Sequence, residues 1–305
     1  MRIEELLDRP QSLPTIPKVV QQLIESFNDE DVTAGRIAAQ IETDPVLSAK
    51  LLRLANSAFF NVSRTVATVN DALNLLGFVM VRNMVLGSGI AGAFKVSPGM
   101  DAPGFWHACL ATACAARWLA PRAGQGADIA FTVGLMHGIG HFVLHAGLPE
   151  AMAKIDAAIA PLDVRRAAEE RRRLGYDFAQ VGAELARRWR FPESMAAAMA
   201  AVPAPLDSEP FNGIAAVVHL AAWSARRDAL ATDDRTDPRP DAVCDRLGLS
   251  PDCLGAGAGT ARQPEGTGAR SRSDTGARSK SDTSEAIDVM PPIAELTRGL
   301  ETMLA

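Results

Sequence analysis

Aromatic side chains make up only 5% of the 305 residues, and that scarcity argues against an all-β fold. The strands of a sandwich or barrel draw on Val, Ile, Tyr and Phe, whereas Ala-rich and Leu-rich segments dominate here. An excess of positive charge is also missing, with 31 Lys and Arg against 36 Asp and Glu and a formal net charge of −5. A duplex-binding domain usually carries a basic stripe, so no nucleic-acid partner is expected. The one basic run, RRAAEERRR at 165–173, is broken by Glu169 and Glu170. Helical spacing predicts that it forms a solvated face with internal ion pairs.

Cysteines number four (Cys109, Cys114, Cys244 and Cys253), and none belongs to a CxxC pair. A chain of this size needs no disulfide framework, so buried reduced thiols are expected. The start, MRIEELLDRPQSLP, carries acidic residues where a secretory signal would be apolar. No uninterrupted apolar run reaches the roughly 18 residues of a membrane span. The sequence therefore predicts a cytoplasmic protein without membrane insertion. A nucleophile elbow, a Gly-rich phosphate loop and a Ser-His-Asp order are absent as well. GSGIAG at 87–92 lacks the lysine of a phosphate loop and lies in an apolar helix, where close helix packing accounts for it.

What is present is a succession of helical segments. In LPTIPKVVQQLIESF, Pro17 suits a first helical turn and Val20, Leu23, Ile24 and Phe27 share a face. Thr33 precedes a helix with Ile37 and Ile41. Asp44-Pro45 is the sharpest signal, a capping carboxylate followed by a proline whose fixed φ fits the first helical position. The helix it opens places Leu47, Leu51, Leu54 and Ala55 on one side. Asn56 and Ser57 end that helix, where an amide and a hydroxyl can close a structural knot or meet a partner; Phe59 and Phe60 follow and read as core. Thr68 caps the next helix and Gly77 ends it. SPGMDAPG at 97–104 is a turn-rich joint between two lobes. Beyond it, Trp106, Trp118 and Trp189 read as packing anchors, and Cys109 and Cys114 as small core residues on different faces.

After about Asp228 the composition becomes polar. From Gly255 to Glu285 large apolar residues almost vanish, and an eight-residue unit occurs twice in tandem, GARSRSDT then GARSKSDT. Such a segment cannot bury enough surface to offset its ordering entropy, so disorder is expected there. The resulting division is 1–98 and 99–232 as two lobes of one domain, 233–254 as a short helical extension, 255–285 as a linker and 286–305 as a C-terminal helix. Ile293, Leu296, Leu300 and Met303 give that last helix its apolar face, fit to dock on the body or on a partner.

Six segments resemble the HDOD family, the regulatory branch of the HD phosphohydrolases, over Leu13 to about Arg227. They are LPTIP, IETDPVLSAKLLRLANSAFF, VNDALNLLGFVMVRNMVL, FWHACLATACAARWLA, FTVGLMHGIGHFVL and GYDFAQVGAELARRWRFPE, in the family's order. The resemblance implies an all-α fold, a helical N-terminal lobe packed on an HD-like helical lobe. It implies a bacterial signalling module that binds other signalling proteins and holds no cofactor. In a hydrolase relative a His-Asp dipeptide and further ligands would hold divalent metal, which needs several ligands converging on one point. Here the dipeptide position reads His137-Gly138. The earlier histidine position is Ala108, with His107 one residue off and turned away by about 100°. The position after the aspartate of GYD is Phe178, and VVHLAAW offers only Ala221 and Ala222 for a last aspartate. Only His137 keeps its place.

Two other readings stay open. His137, His141 and His145 recur every four residues and could chelate zinc from one helical face. Against this, Gly138 and Gly140 weaken that helix and no carboxylate lies near in sequence, so the expected role is structural, with one or two imidazoles on buried carbonyls and the third facing water. A residual phosphohydrolase, or a nucleotide sensor in the vestigial pocket, are the alternatives to a protein-binding module; no basic cluster marks the pocket.

Overall fold

The structure is a computed structural model and describes residues 1–9, 14–27, 33–56, 65–94, 100–230, 237–255 and 288–300. Among these residues the fold is all-α, with no strand. The first part holds α1 (Ile3–Leu7), α2 (Lys18–Glu25), α3 (Ala34–Glu42), α4 (Pro45–Ala55), α5 (Val69–Leu76) and α6 (Phe78–Ala93). The second holds α7 (Ala102–Leu119), α8 (Ala127–Met136), α9 (Ile139–Gly147), α10 (Pro149–Asp156), α11 (Arg166–Leu174), α12 (Phe178–Arg188), α13 (Glu193–Ala201) and α14 (Gly213–Leu230). Two short helices follow, α15 (Asp241–Leu247) and α16 (Ile293–Thr297).

Local chemistry sets the helix starts where the sequence places them. Asp44 Oδ1 accepts the Val46 and Leu47 amides at 3.0 and 3.1 Å, with Pro45 as the first residue of α4. Thr33 and Thr68 cap α3 and α5 in the same way, through the amides of Arg36 and Asp71. Gly77, at φ +79°, lets the chain turn between α5 and α6 where a Cβ would be strained. Pro17 stands one place earlier than expected, as the cap of α2. The faces read from the sequence are buried: Val20, Leu23 and Ile24 on α2, Ile37 and Ile41 on α3, and Leu47, Leu51, Leu54 and Ala55 on α4.

Close approach explains Gly89 of α6 and Gly140 of α9. A Cβ on Gly89 would strike the Val20 side chain, so the packing seam expected of GSGIAG is found at this residue, while a Cβ on Gly92 would meet nothing within 4 Å. A Cβ on Gly140 would overlap the Phe178 carbonyl, so α9 lies directly on the start of α12. The core of the second part is α7, α8 and α14 packed on one another, with α9 on α12 and α13 closing it. Stretch 127–147 is long and apolar enough to cross a membrane, but 89% of that window is buried inside the fold.

Three sequence expectations need adjusting. The helix α1, assigned to the first lobe, lies against α9 and α12 of the second: Arg9 donates to the Gly147 carbonyl at 2.8 Å and Arg188 pairs with Asp8 at 2.7 Å. The run at 165–173 is only partly a solvated face. Glu169 does pair with Arg172 and Arg173 outside, but Arg166 and Glu170 are buried at 1% and 0% exposure and pair in the core. The C-terminal helix is shorter than expected and docks on the body, against α7 and α14, burying Ile293, Thr297 and Leu300. Ser57, Phe59, Phe60, the start of the 97–104 joint, the tandem repeat and Met303 lie outside the described residues.

Candidate functional site

The positions where a hydrolase relative would place a ligand converge on one cavity of about 70 Å³; of the two alanines offered for the last aspartate, Ala222 faces it and Ala221 is buried elsewhere in the packing of α14. His137, Gly138, Ala108, Phe178 and Ala222 all line it, brought together from α7, the α8–α9 junction, α12 and α14. The helix α8 ends at Met136 and α9 begins at Ile139, so His137 and Gly138 occupy the break between them. His107 does not face this cavity; the turn of about 100° from Ala108 carries it to a larger one on the other side of the same wall.

His137 is 9% exposed and its Nδ1 meets the Gly134 carbonyl at 2.6 Å. Since a carbonyl only accepts, Nδ1 carries the hydrogen and Nε2 keeps a bare lone pair. Burial, aided by the nearby positive charge of Arg226, pushes the pKa of His137 down to about 4 against a smaller upward pull from the Gly134 carbonyl. His219 repeats the arrangement, with Nδ1 2.8 Å from the Val202 carbonyl and a pKa lowered by burial. His219, Ala222 and Arg226 stand at i, i+3 and i+7 on α14 and all line the cavity. The helical spacing of His219, Ala222 and Arg226 in VVHLAAWSAR is the sequence signal for this stripe.

His141 overturns the expectation that one imidazole faces water. It is 2% exposed, stacked on Phe178 at 4.0 Å between centroids and edge-on to Phe105 at 5.2 Å. Its Nδ1 makes no hydrogen bond and lies 3.5 Å from Glu170 Oε1, and burial holds its pKa well below the usual value. His145 Nδ1 lies 2.7 Å from the His141 carbonyl and its Nε2 lies 2.9 Å from Asp156 Oδ2. Two carboxylates thus reach the histidines from α10 and α11, which sequence distance concealed. Arg166 joins them, with Nε on Glu170 at 2.7 Å, a guanidinium nitrogen 2.7 Å from Asp156 Oδ1 and another on the Ile159 carbonyl at 2.6 Å. Glu170 also accepts the Phe178 amide at 2.7 Å, tying the start of α12 to this network.

The donor set does not fit the metal that an HD hydrolase would carry. Among the described residues no group of three or more His, Cys, Asp or Glu is placed to hold an ion. A Cβ on Gly138 would lie 2.7 Å from the Phe105 ring and 3.2 Å from Cys109 Sγ, so the space of the bridging carboxylate is filled. Cys109 offers no thiolate in exchange, because burial pushes its pKa up to about 12. One basic side chain lines the cavity among the described residues, Arg226, held by Asp237 at 2.9 and 3.2 Å.

In the first lobe, Asn56 ties the end of α4 to the chain beyond. Its amide nitrogen donates to the carbonyls of Leu52 and Val66, and its oxygen accepts the Val66 amide, each at 2.8 Å.

Comparison with known proteins places these features. The sequence model of the HDOD domain matches residues 13–205. A candidate phosphohydrolase from Shewanella amazonensis SB2B has a similar crystal structure, with TM-score 0.68 and 32% identity over 82% of this chain and 91% of its own. A candidate signal transduction protein from Marinobacter aquaeolei VT8 follows at TM-score 0.69 and 26% identity, covering 83% of this chain and 57% of that one. An uncharacterized protein of Treponema pallidum (strain Nichols) is 27% identical over 190 residues, 62% of this chain but 37% of that protein's length.

Proposed function

The chain belongs to the HDOD family, and from that membership we propose that it is a non-catalytic bacterial signalling module that acts by contact with other proteins. One observation carries the reading. The positions that would hold metal converge on one cavity, and all but His137 bring side chains that cannot ligate, with the Phe105 ring standing where the carboxylate would project. Hard divalent ions need several oxygen or nitrogen ligands at once, and water activation needs the ion. The cavity of about 70 Å³ also falls short of the roughly 300–1,000 Å³ of small-molecule sites, which weighs against a nucleotide sensor there.

A phosphohydrolase is the second reading, favoured by the likeness to the Shewanella protein of that description. Its requirement is metal, and the donor set argues against it.

The contact with other proteins is assigned to the added first lobe, where α4 leaves Val46 65% exposed one residue beyond the Asp44-Pro45 start. A pull-down from the native host, run beside melting curves, tests this. Val46→Lys should abolish capture with melting unchanged, because it alters only an exposed side chain. Asn56→Ala should cost about 1–2 kcal/mol by leaving the Val66 amide and carbonyl without their partners, and lower capture only in proportion to the folded fraction. His137→Ala should leave capture intact. Capture that follows His137 and ignores Val46 contradicts the assignment.

A further inference from the structure

On the far side of the wall formed by Phe105, Ala108, Pro161, Leu162 and Ala225 lies a second cavity of about 710 Å³, ten times the volume of the first. It exists because the facing helices carry small side chains, Ala108 and Ala111 on α7 and Ala225 and Ala229 on α14, while Ile293 of the docked α16 closes one end. Its size falls within the range of ligand sites, which are concave, mostly apolar and hold a few polar groups. We propose that this cavity binds a small apolar molecule carrying a protonated amine.

The polar groups on its wall select that class. Among the described residues three carboxylates line it, Asp101, Asp156 and Asp228, together with His107 and His145, and no Lys or Arg does. Two of the carboxylates are occupied. Asp156 lies between His145 and Arg166, and Asp101 Oδ1 accepts the Gly104 amide at 3.0 Å as the cap of α7. Asp228 makes no hydrogen bond or ion pair with a described residue, and neither does His107. What the cavity offers a ligand is therefore an apolar floor and an unneutralised carboxylate at its edge. An anion meets repulsion there, and an ammonium group meets a partner.

The proposal goes beyond the protein-contact reading and stands or falls apart from it, since the pull-down does not use this cavity. The full chain is titrated at neutral pH and low salt with phenethylamine and with 3-phenylpropionate, by calorimetry and saturation-transfer NMR. The amine should bind at least about tenfold more tightly than the carboxylate, the effect of reversing one charge beside Asp228. Asp228→Asn should reduce that preference to about threefold or less with no change in melting, because the residue is exposed. Ala111→Trp should abolish amine binding by filling the cavity; if that variant does not fold, Ala229→Trp at the exposed edge serves instead. No amine binding at roughly 10 mM, a weak limit for a ligand of this size, overturns the proposal. Equal or tighter binding of the carboxylate overturns the ligand class. Amine binding that persists in the tryptophan variant overturns the location, and a preference that survives Asp228→Asn overturns the charge partner.

Discussion

Arg166→Met is expected to destabilise the fold by about 3–5 kcal/mol, the usual consequence of breaking one side of a buried ion pair. Arg166 is 1% exposed and Glu170 fully buried, and the guanidinium bonds Glu170 and the Ile159 carbonyl and contacts Asp156. Removing it leaves Glu170 in a site where burial already pushes its pKa up, with only the Phe178 amide and the more distant His141 ring near its oxygens. The second substitution should then cost less than the first. In Arg166→Met/Glu170→Met the unpaired carboxyl is gone, so the double variant should be more stable than the sum of the two single losses by about 1 kcal/mol or more. Urea titration of the four proteins measures this. Additive losses, or a single loss under about 1 kcal/mol, would show that the pair does not hold α9, α10 and α11 together.

Stability should also fall steeply as pH drops from 6.5 to 5. His137, His141 and His219 are all held neutral by burial in the folded state, with the pKa of His137 at about 4 against an ordinary 6.5. Over that window the unfolded chain binds protons that the folded chain refuses, so stability rises with pH and is lost on acidification. The contribution is complete above 6.5 and vanishes as pH falls towards 4. For His137 alone the loss between pH 6.5 and 5 comes to about 1.5 kcal/mol, and the other two imidazoles add to it in the same direction. Glu170 and Asp177, whose pKa values burial raises, act in the opposite direction, so the imidazole contribution is isolated by comparison with a variant that lacks one of these rings. His137→Asn keeps a donor for the Gly134 carbonyl and removes the titration, so its pH slope should be shallower than that of the wild type. A flat profile from 6.5 to 5 would mean that these imidazoles are protonated in the native state.

What could be read from the sequence divides along physical lines. Asp44-Pro45, Thr33, Thr68 and Gly77 act within four residues of themselves, so their caps and turns were visible in the letters. The apolar faces of α2, α3 and α4 follow from helical periodicity, and the turning away of His107 from Ala108 follows from the helix pitch. The i, i+4 spacing of Arg166 and Glu170 fits an exposed ion-pair ladder as well as a buried pair, so the sequence alone does not tell the two apart. Only the fold shows that this face of α11 packs inward beneath α9 and α10. The carboxylates beside His141 and His145 come from residues 29 and 11 positions away, as Glu170 and Asp156, and no local rule brings them together. That Ala108, Gly138, Phe178 and Ala222 share one cavity could be expected only from the family resemblance. The larger cavity, made of alanines that fit any helix seam, left no signal in the sequence.

The central claim, that the vestigial pocket has lost its hydrolytic chemistry, is tested most directly by the divalent metal content of the dialysed protein together with its hydrolysis of phosphodiester and nucleotide substrates. The account predicts well under one equivalent of Mn²⁺, Fe²⁺ or Zn²⁺ and no hydrolysis above the metal-in-buffer blank, because Phe105 and Cys109 fill the space beside His137 where a bridging carboxylate would stand. Retention of about one equivalent or more, with hydrolysis that His137→Ala abolishes, would contradict it.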